Sequence, residues 1–151
     1  MEELDPRKGG NFYDPSVSIT AQNQHRDASI TFVGASLDGK FYKDDIHFGV
    51  KDGKPALTAK AVTIGKVEKS SFFTGKPGDL EAVIGMGYPA LAEKETISLP
   101  DEMMNQNLLA SSLFAFSLKG KPELTFGYYD KAKFKGELQW NKVTMEYMYL
   151  V

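Results

Sequence analysis

Tight-turn signals recur roughly every ten residues along this chain, a spacing that leaves room for strands and little room for long helices. Gly34, Asp38-Gly39, Asp52-Gly53, the run from Gly75 to Asp79, and Lys119-Gly120-Lys121-Pro122 are the main ones. Glycine takes positive φ at little steric cost, so such residues punctuate a chain that keeps reversing. Between them the apolar residues alternate. Residues 28–49 carry Ile30 and Phe32, then Leu37, Phe41, Ile46 and Phe48, and read as a β-hairpin. Residues 50–54 form a polar turn, and residues 56–67 and 70–74 give two further strands. Residues 83–92 (VIGMGYPALA) read as a buried strand whose glycines admit a neighbouring backbone. The expected fold is all-β, barrel- or sandwich-like, with one short helix near residues 99–109.

That helix starts at Ser98, the N-cap. Asp101 stands three residues on, Pro100 sits in the first turn, and the acidic residues suit the positive end of the helix dipole. Met103, Met104 and Leu108 give it a core-facing stripe. Strands follow at residues 113–118, 124–126, 137–143 and 144–151, with a polar corner at residues 129–136.

The totals bound the function. A chain of 151 residues with 42% hydrophobic and 25% charged residues holds enough apolar material for one domain with a core. The formal net charge of −2 and the absence of a Lys/Arg block give no footprint for nucleic acid. There is no cysteine, so disulfides, thiolate metal sites and a cysteine nucleophile are excluded. His25 and His47 lack ligand spacing, and Asp44-Asp45 would project to opposite faces of a strand, so no metal or cofactor is expected. No Gly-x-Ser-x-Gly elbow occurs, and the glycine-rich run at residues 75–79 lacks the Gly-Lys-Ser/Thr of a phosphate loop. The most apolar run, residues 108–118, is far shorter than the ~20 residues needed to span a bilayer. No apolar h-region opens the chain, so no signal peptide is visible and a soluble protein is expected. Residues 1–11 read as a flexible leader, and residues 12–151 as a single domain.

Four stretches carry a resemblance to the pepsin-like aspartic proteases. Phe126-Gly127, Asp130 and Gly136-x-Leu138-x-Trp140 resemble the strand–corner–strand that closes that family's N-terminal lobe. Phe12 with Asp14-Pro15-Ser16 is similar to its Phe-Asp-Pro-Ser segment, and Ile84-Gly85-Met86-Gly87-Tyr88-Pro89 to its Ile-Leu-Gly-Leu-Gly-Tyr/Phe-Pro stretch. Residues 30–49 match the hairpin that forms the family's substrate flap. The resemblance therefore places flap-like residues at Phe32, Val33, Gly34, Ala35 and Ser36. Phe32 stands where the family usually has tyrosine, and so lacks that hydroxyl. Val33 and Ala35 replace glycines.

The family's chemistry rests on two aspartates, one per lobe, each in Asp-Thr-Gly or Asp-Ser-Gly. They share one proton because two carboxylates about 3 Å apart cannot both ionise. None of the ten aspartates of this sequence lies in either tripeptide. The resemblance thus implies a partial N-terminal lobe without catalytic residues. It would serve as a binding or structural subunit, with a protein partner or companion chain completing the β lobe. The alternative is one chain of a split or processed aspartic endopeptidase whose aspartates come from other chains.

Overall fold

The computed structural model describes residues 2–3, 12–32, 35–71, 81–93 and 96–146. By its internal contacts the chain divides into two units, Met1–Ile84 and Gly85–Val151.

The first unit is an antiparallel sheet of β1 (Glu2–Glu3), β2 (Gln22–Phe32), β3 (Ala35–Lys51) and β4 (Lys54–Ser70), in the order β1-β4-β3-β2. The expected hairpin forms and runs longer at both ends than its alternation indicated. At the β3–β4 turn Asp52 and Gly53 both take positive φ, 52° and 74°. This is the two-residue turn whose twist matches the flanking strands, and it pairs Lys51 with Lys54. Among the described residues of the unit, Ala28, Leu37, Phe41, Ala59 and Val62 are the buried apolar ones. The Arg26 guanidinium lies 4.1 Å from the centre of the Phe41 ring. Glu2 and Glu3 pair with Ser70 and Lys69 along the other side of β4.

Asp38-Gly39, expected to form a turn, lies inside β3, where the register to β4 shifts between the two residues. An Asp-Gly pair suits a bulge as well as a turn, and here close approach decides between them. A Cβ on Gly39 would fall 1.8 Å from the Lys66 carbonyl oxygen, so β4 occupies the space a side chain would need. A second irregularity lies between Asp44 and Ile46, beside Ala61 with its φ of 49°.

The second unit contains α1 (Leu99–Asn105) and a two-stranded sheet of β5 (Phe114–Ser117) and β6 (Glu123–Phe126). Ser98 caps the helix as expected: its Oγ accepts from the Asp101 N–H at 3.4 Å and donates to the Asp101 carboxylate at 2.7 Å. Leu99 and Met103 are buried. The helix ends four residues earlier than its apolar stripe indicated. Asn107 takes a left-handed φ of 55°, its N–H bonds to the Met104 carbonyl, and the Leu108 N–H bonds to the Met103 carbonyl. This is the Schellman termination, with asparagine in the place glycine usually fills.

Two expected strands are not strands. Residues 83–88 form no regular element and lead into a 3-10 turn, Pro89–Leu91, with Val83 and Ile84 exposed. Among the described residues nothing lies within 4 Å of where a Gly85 Cβ would be, so no neighbouring backbone packs on it. Residues 137–143 are likewise irregular, after a 3-10 turn at Lys131–Lys133. Residues 72–74, 75–79 and 147–151 of the expected strands and loop lie outside the described residues.

Candidate functional site

Three places could carry function: the flap-like hairpin tip, a buried carboxylate cluster in the first unit, and an open apolar face in the second. At the tip, Phe32 pairs with Ala35 and Thr31 with Ser36, so β2 and β3 are joined by Val33 and Gly34 alone. Those two residues lie outside the described ones. Ser36 is exposed, and its N–H donates to Ser71 Oγ at 3.1 Å while its carbonyl accepts from the Ser71 N–H at 3.2 Å. These bonds tie the base of the tip to the end of β4.

The carboxylate cluster centres on Asp44, which is 3% exposed in the middle of β3. Its Oδ2 accepts from the Tyr13 hydroxyl at 2.8 Å. Its Oδ1 accepts from Ser18 Oγ at 2.9 Å, from Thr20 Oγ1, and from the Asp45 N–H at 2.8 Å. Burial pushes the Asp44 carboxyl up, but the bonds from Thr20, Ser18, Tyr13 and Asp45 outweigh it and hold the group below the usual carboxylate range. Tyr13 moves the other way. Burial, then the bond to Asp44 and its charge, raise the phenol far above its ordinary value.

A carboxylate with four donors fixed on it is a weak base, and here three of them crowd Oδ1 while Tyr13 holds Oδ2. The cluster therefore fastens residues 13–20 onto β3. Asp45 is engaged as well, accepting from the Ala61 N–H at 2.9 Å. Among the described residues no group of three potential ligands could hold a metal. Sequence reasoning missed this cluster. The available signal was a carboxylate in mid-strand beside Tyr42 and Phe41, with Ser18 and Thr20 spaced to present hydroxyls on one side.

In the second unit the strand pairing sets the chemistry of each face. Phe114 opposes Phe126 and Phe116 opposes Leu124, so four large apolar side chains share one face of the β5–β6 hairpin. Ala115, Ser117, Glu123 and Thr125 make up the other face. Phe116 is 57% exposed, and Phe114 and Leu124 are also open. The Phe114 and Phe116 rings meet edge to face at 6.0 Å. Gly127, with φ of 80°, lets the chain pass against residues 109–110: its Cβ position is 3.2 Å from both the Ala110 nitrogen and the Leu109 Cβ. A two-stranded sheet has little stability of its own, and the side of this one that carries Phe114, Phe116 and Leu124 stays open. Leu118, Leu138 and Trp140 extend the exposed apolar surface of this unit.

Comparison with known proteins supplies a family context. The model of the family described as eukaryotic aspartyl protease matches residues 5–151. Cathepsin E of Rattus norvegicus is 31% identical over 140 residues, which cover 89% of this chain and 34% of that protein. Cathepsin E of Cavia porcellus is 30% identical over 139 residues, with the same coverage of each. Chymosin of Bos taurus is 28% identical over 147 residues, again 89% of this chain and 34% of the relative. The chain spans about a third of the length of these relatives.

Proposed function

The chain belongs to the eukaryotic aspartyl protease family, and from that premise we propose that it acts as a non-catalytic pepsin-like domain, a binding or structural subunit. On this reading residues 12–151 form one pepsin-like β domain. The observation that carries the proposal is that none of its ten aspartates is followed by Thr-Gly or Ser-Gly. An aspartic protease needs two such carboxylates within reach of one water. Among the described residues the most shielded aspartate, Asp44, accepts from three hydroxyls and an amide, and Asp14, Asp52 and Asp130 are exposed turn residues. The open aromatic face of the β5–β6 hairpin supports the binding role, because a companion chain that completes the β lobe would cover it.

The same open face also suits a second reading: one chain of a split or processed aspartic endopeptidase, with companion chains supplying both aspartates. One experiment separates the two. The protein is purified in its native assembly and assayed against a fluorogenic peptide at acid pH. We expect a companion chain and no cleavage above buffer. Cleavage by the assembly that a pepstatin-type inhibitor abolishes would establish the second reading.

A further inference from the structure

We propose that Asp52, at the β3–β4 turn, is a site of backbone isomerisation, where the aspartyl–glycyl link slowly becomes an isoaspartyl one. Two of the ten aspartates are followed by glycine, Asp38 and Asp52, and no asparagine is. The following residue matters because its backbone nitrogen must reach the carboxyl carbon of the aspartate before it. Glycine presents that nitrogen with no side chain in the way. Sequence alone makes the two links equivalent, and the fold separates them.

Asp52 and Gly53 are both exposed, and they are the whole of the loop between the paired residues Lys51 and Lys54. Among the described residues nothing lies within 4 Å of where a Gly53 Cβ would be. The peptide between Asp52 and Gly53 therefore has open space around it and can rotate toward the carboxyl group. An exposed loop tip of small and polar residues opens at little cost, because it makes few buried contacts.

The Asp38–Gly39 link is held on both sides. Gly39 opposes Ala28 of β2 and Val67 of β4, and the Lys66 carbonyl fills the space that a Cβ would take. The Asp38 carboxylate also accepts from Ser29 Oγ at 2.8 Å. Bringing the Gly39 nitrogen onto the Asp38 carboxyl carbon would pull β3 away from both neighbours.

The reaction balances with water as the only other participant. The Gly53 nitrogen bonds to the Asp52 Cγ, and its proton leaves with the carboxyl hydroxyl as water, closing a succinimide ring. Water then adds to one of the two ring carbonyls. Opening at Cγ restores aspartate. Opening at the Asp52 main-chain carbonyl leaves the chain running through Cβ and Cγ and frees that carbonyl as a carboxylate. Nothing is oxidised or reduced, and the loop gains one backbone carbon. Loop length sets the register of a hairpin, so the Lys51–Lys54 and Val50–Pro55 pairs should loosen first. The inference is independent of the binding role proposed above.

The test ages the full chain, warm and at mildly acid pH, beside the same chain unfolded in urea. Isoaspartate is then read by methyl transfer from labelled S-adenosylmethionine with an isoaspartyl-directed methyltransferase, and located by peptide mapping. In the native chain the peptide holding Asp52 should carry at least about tenfold more label than that holding Asp38. The unfolded chain should label both peptides alike. Asp52→Glu, which would have to close a larger ring, should lose the signal at this site with circular dichroism unchanged. Native label that is absent from Asp52, or equal at Asp38 and Asp52, would overturn the proposal. A preference for Asp52 that persists in the unfolded chain would overturn it as well, since the fold would not be its source.

Discussion

Replacing Asp44 by alanine is expected to destabilise the first unit by about 3 kcal/mol, the largest single effect the structure implies. The substitution removes the acceptor for Tyr13, Ser18, Thr20 and the Asp45 N–H together, and empties a position where the native carboxylate is 3% exposed. Amide hydrogen exchange in β3 and β4 is the suitable readout, because Trp140 fluorescence reports on the other unit. A loss of this size accelerates globally limited exchange roughly a hundredfold. Asp44→Asn keeps one acceptor oxygen but turns an amide against the hydroxyls, so it should fall between alanine and wild type. The pH dependence has a definite sign. The folded Asp44 sits below its ordinary value of 3.8, so its contribution is complete above that pH and is lost as pH falls through the folded value. Tyr13 is raised above 10.0, so its contribution is complete below pH 10.0 and is lost as pH rises through the folded value. The alanine variant should flatten the acid limb of the wild-type profile.

The second large effect is expected at Gly39. An added methyl would lie 1.8 Å from the Lys66 carbonyl oxygen, 2.8 Å from its carbon and 3.1 Å from the Val67 Cα. All three are backbone atoms of the neighbouring strand, so no side chain can swing aside. Relief requires β3 and β4 to separate where Gly39 opposes Val67 and Ala28 opposes Gly39 on the other side. Gly39→Ala should therefore cost close to 3 kcal/mol, the upper end for overpacking. The same methyl at Gly53 would meet nothing within 4 Å, but the φ of 74° there carries its own strain. Comparing the two variants by urea unfolding followed at β3 amides separates a backbone clash from a turn effect. A Gly39→Ala protein as stable as wild type would refute the close β3–β4 approach.

The all-β character, the central hairpin, the Asp52-Gly53 turn and the Ser98 cap were legible because each is set by local rules. Alternation, two-residue turn chemistry and side-chain capping act over a few residues, and the sequence carries them plainly. The errors arose where a longer-range partner decides. Asp38-Gly39 has turn composition, but Lys66, 27 positions away in the chain numbering, makes it a bulge. Residues 83–92 and 137–143 have strand composition, yet a strand requires a neighbour to pair with, and composition does not disclose one. The helix stripe ran on to residue 109 because periodicity continues past Asn107, whereas the left-handed backbone there stops the helix. The Asp44 cluster escaped notice for a similar reason. Its partners come from residues 13–20, and only the fold brings them to mid-strand β3. The family resemblance was readable from Phe126-Gly127, Asp130 and the Gly136-x-Leu138-x-Trp140 ending, because those residues fix a turn geometry as well as an ancestry.

The central proposal, that this family member carries no proteolytic site of its own, is tested most directly by calorimetric titration of the isolated chain with a pepstatin-type transition-state mimic at acid pH. Such a compound binds where two carboxylates share a proton and has little to hold it elsewhere. We expect no saturable heat and no protection against thermal unfolding. Stoichiometric binding at sub-micromolar concentration would contradict the claim, because it requires a catalytic dyad that these 151 residues are read as lacking.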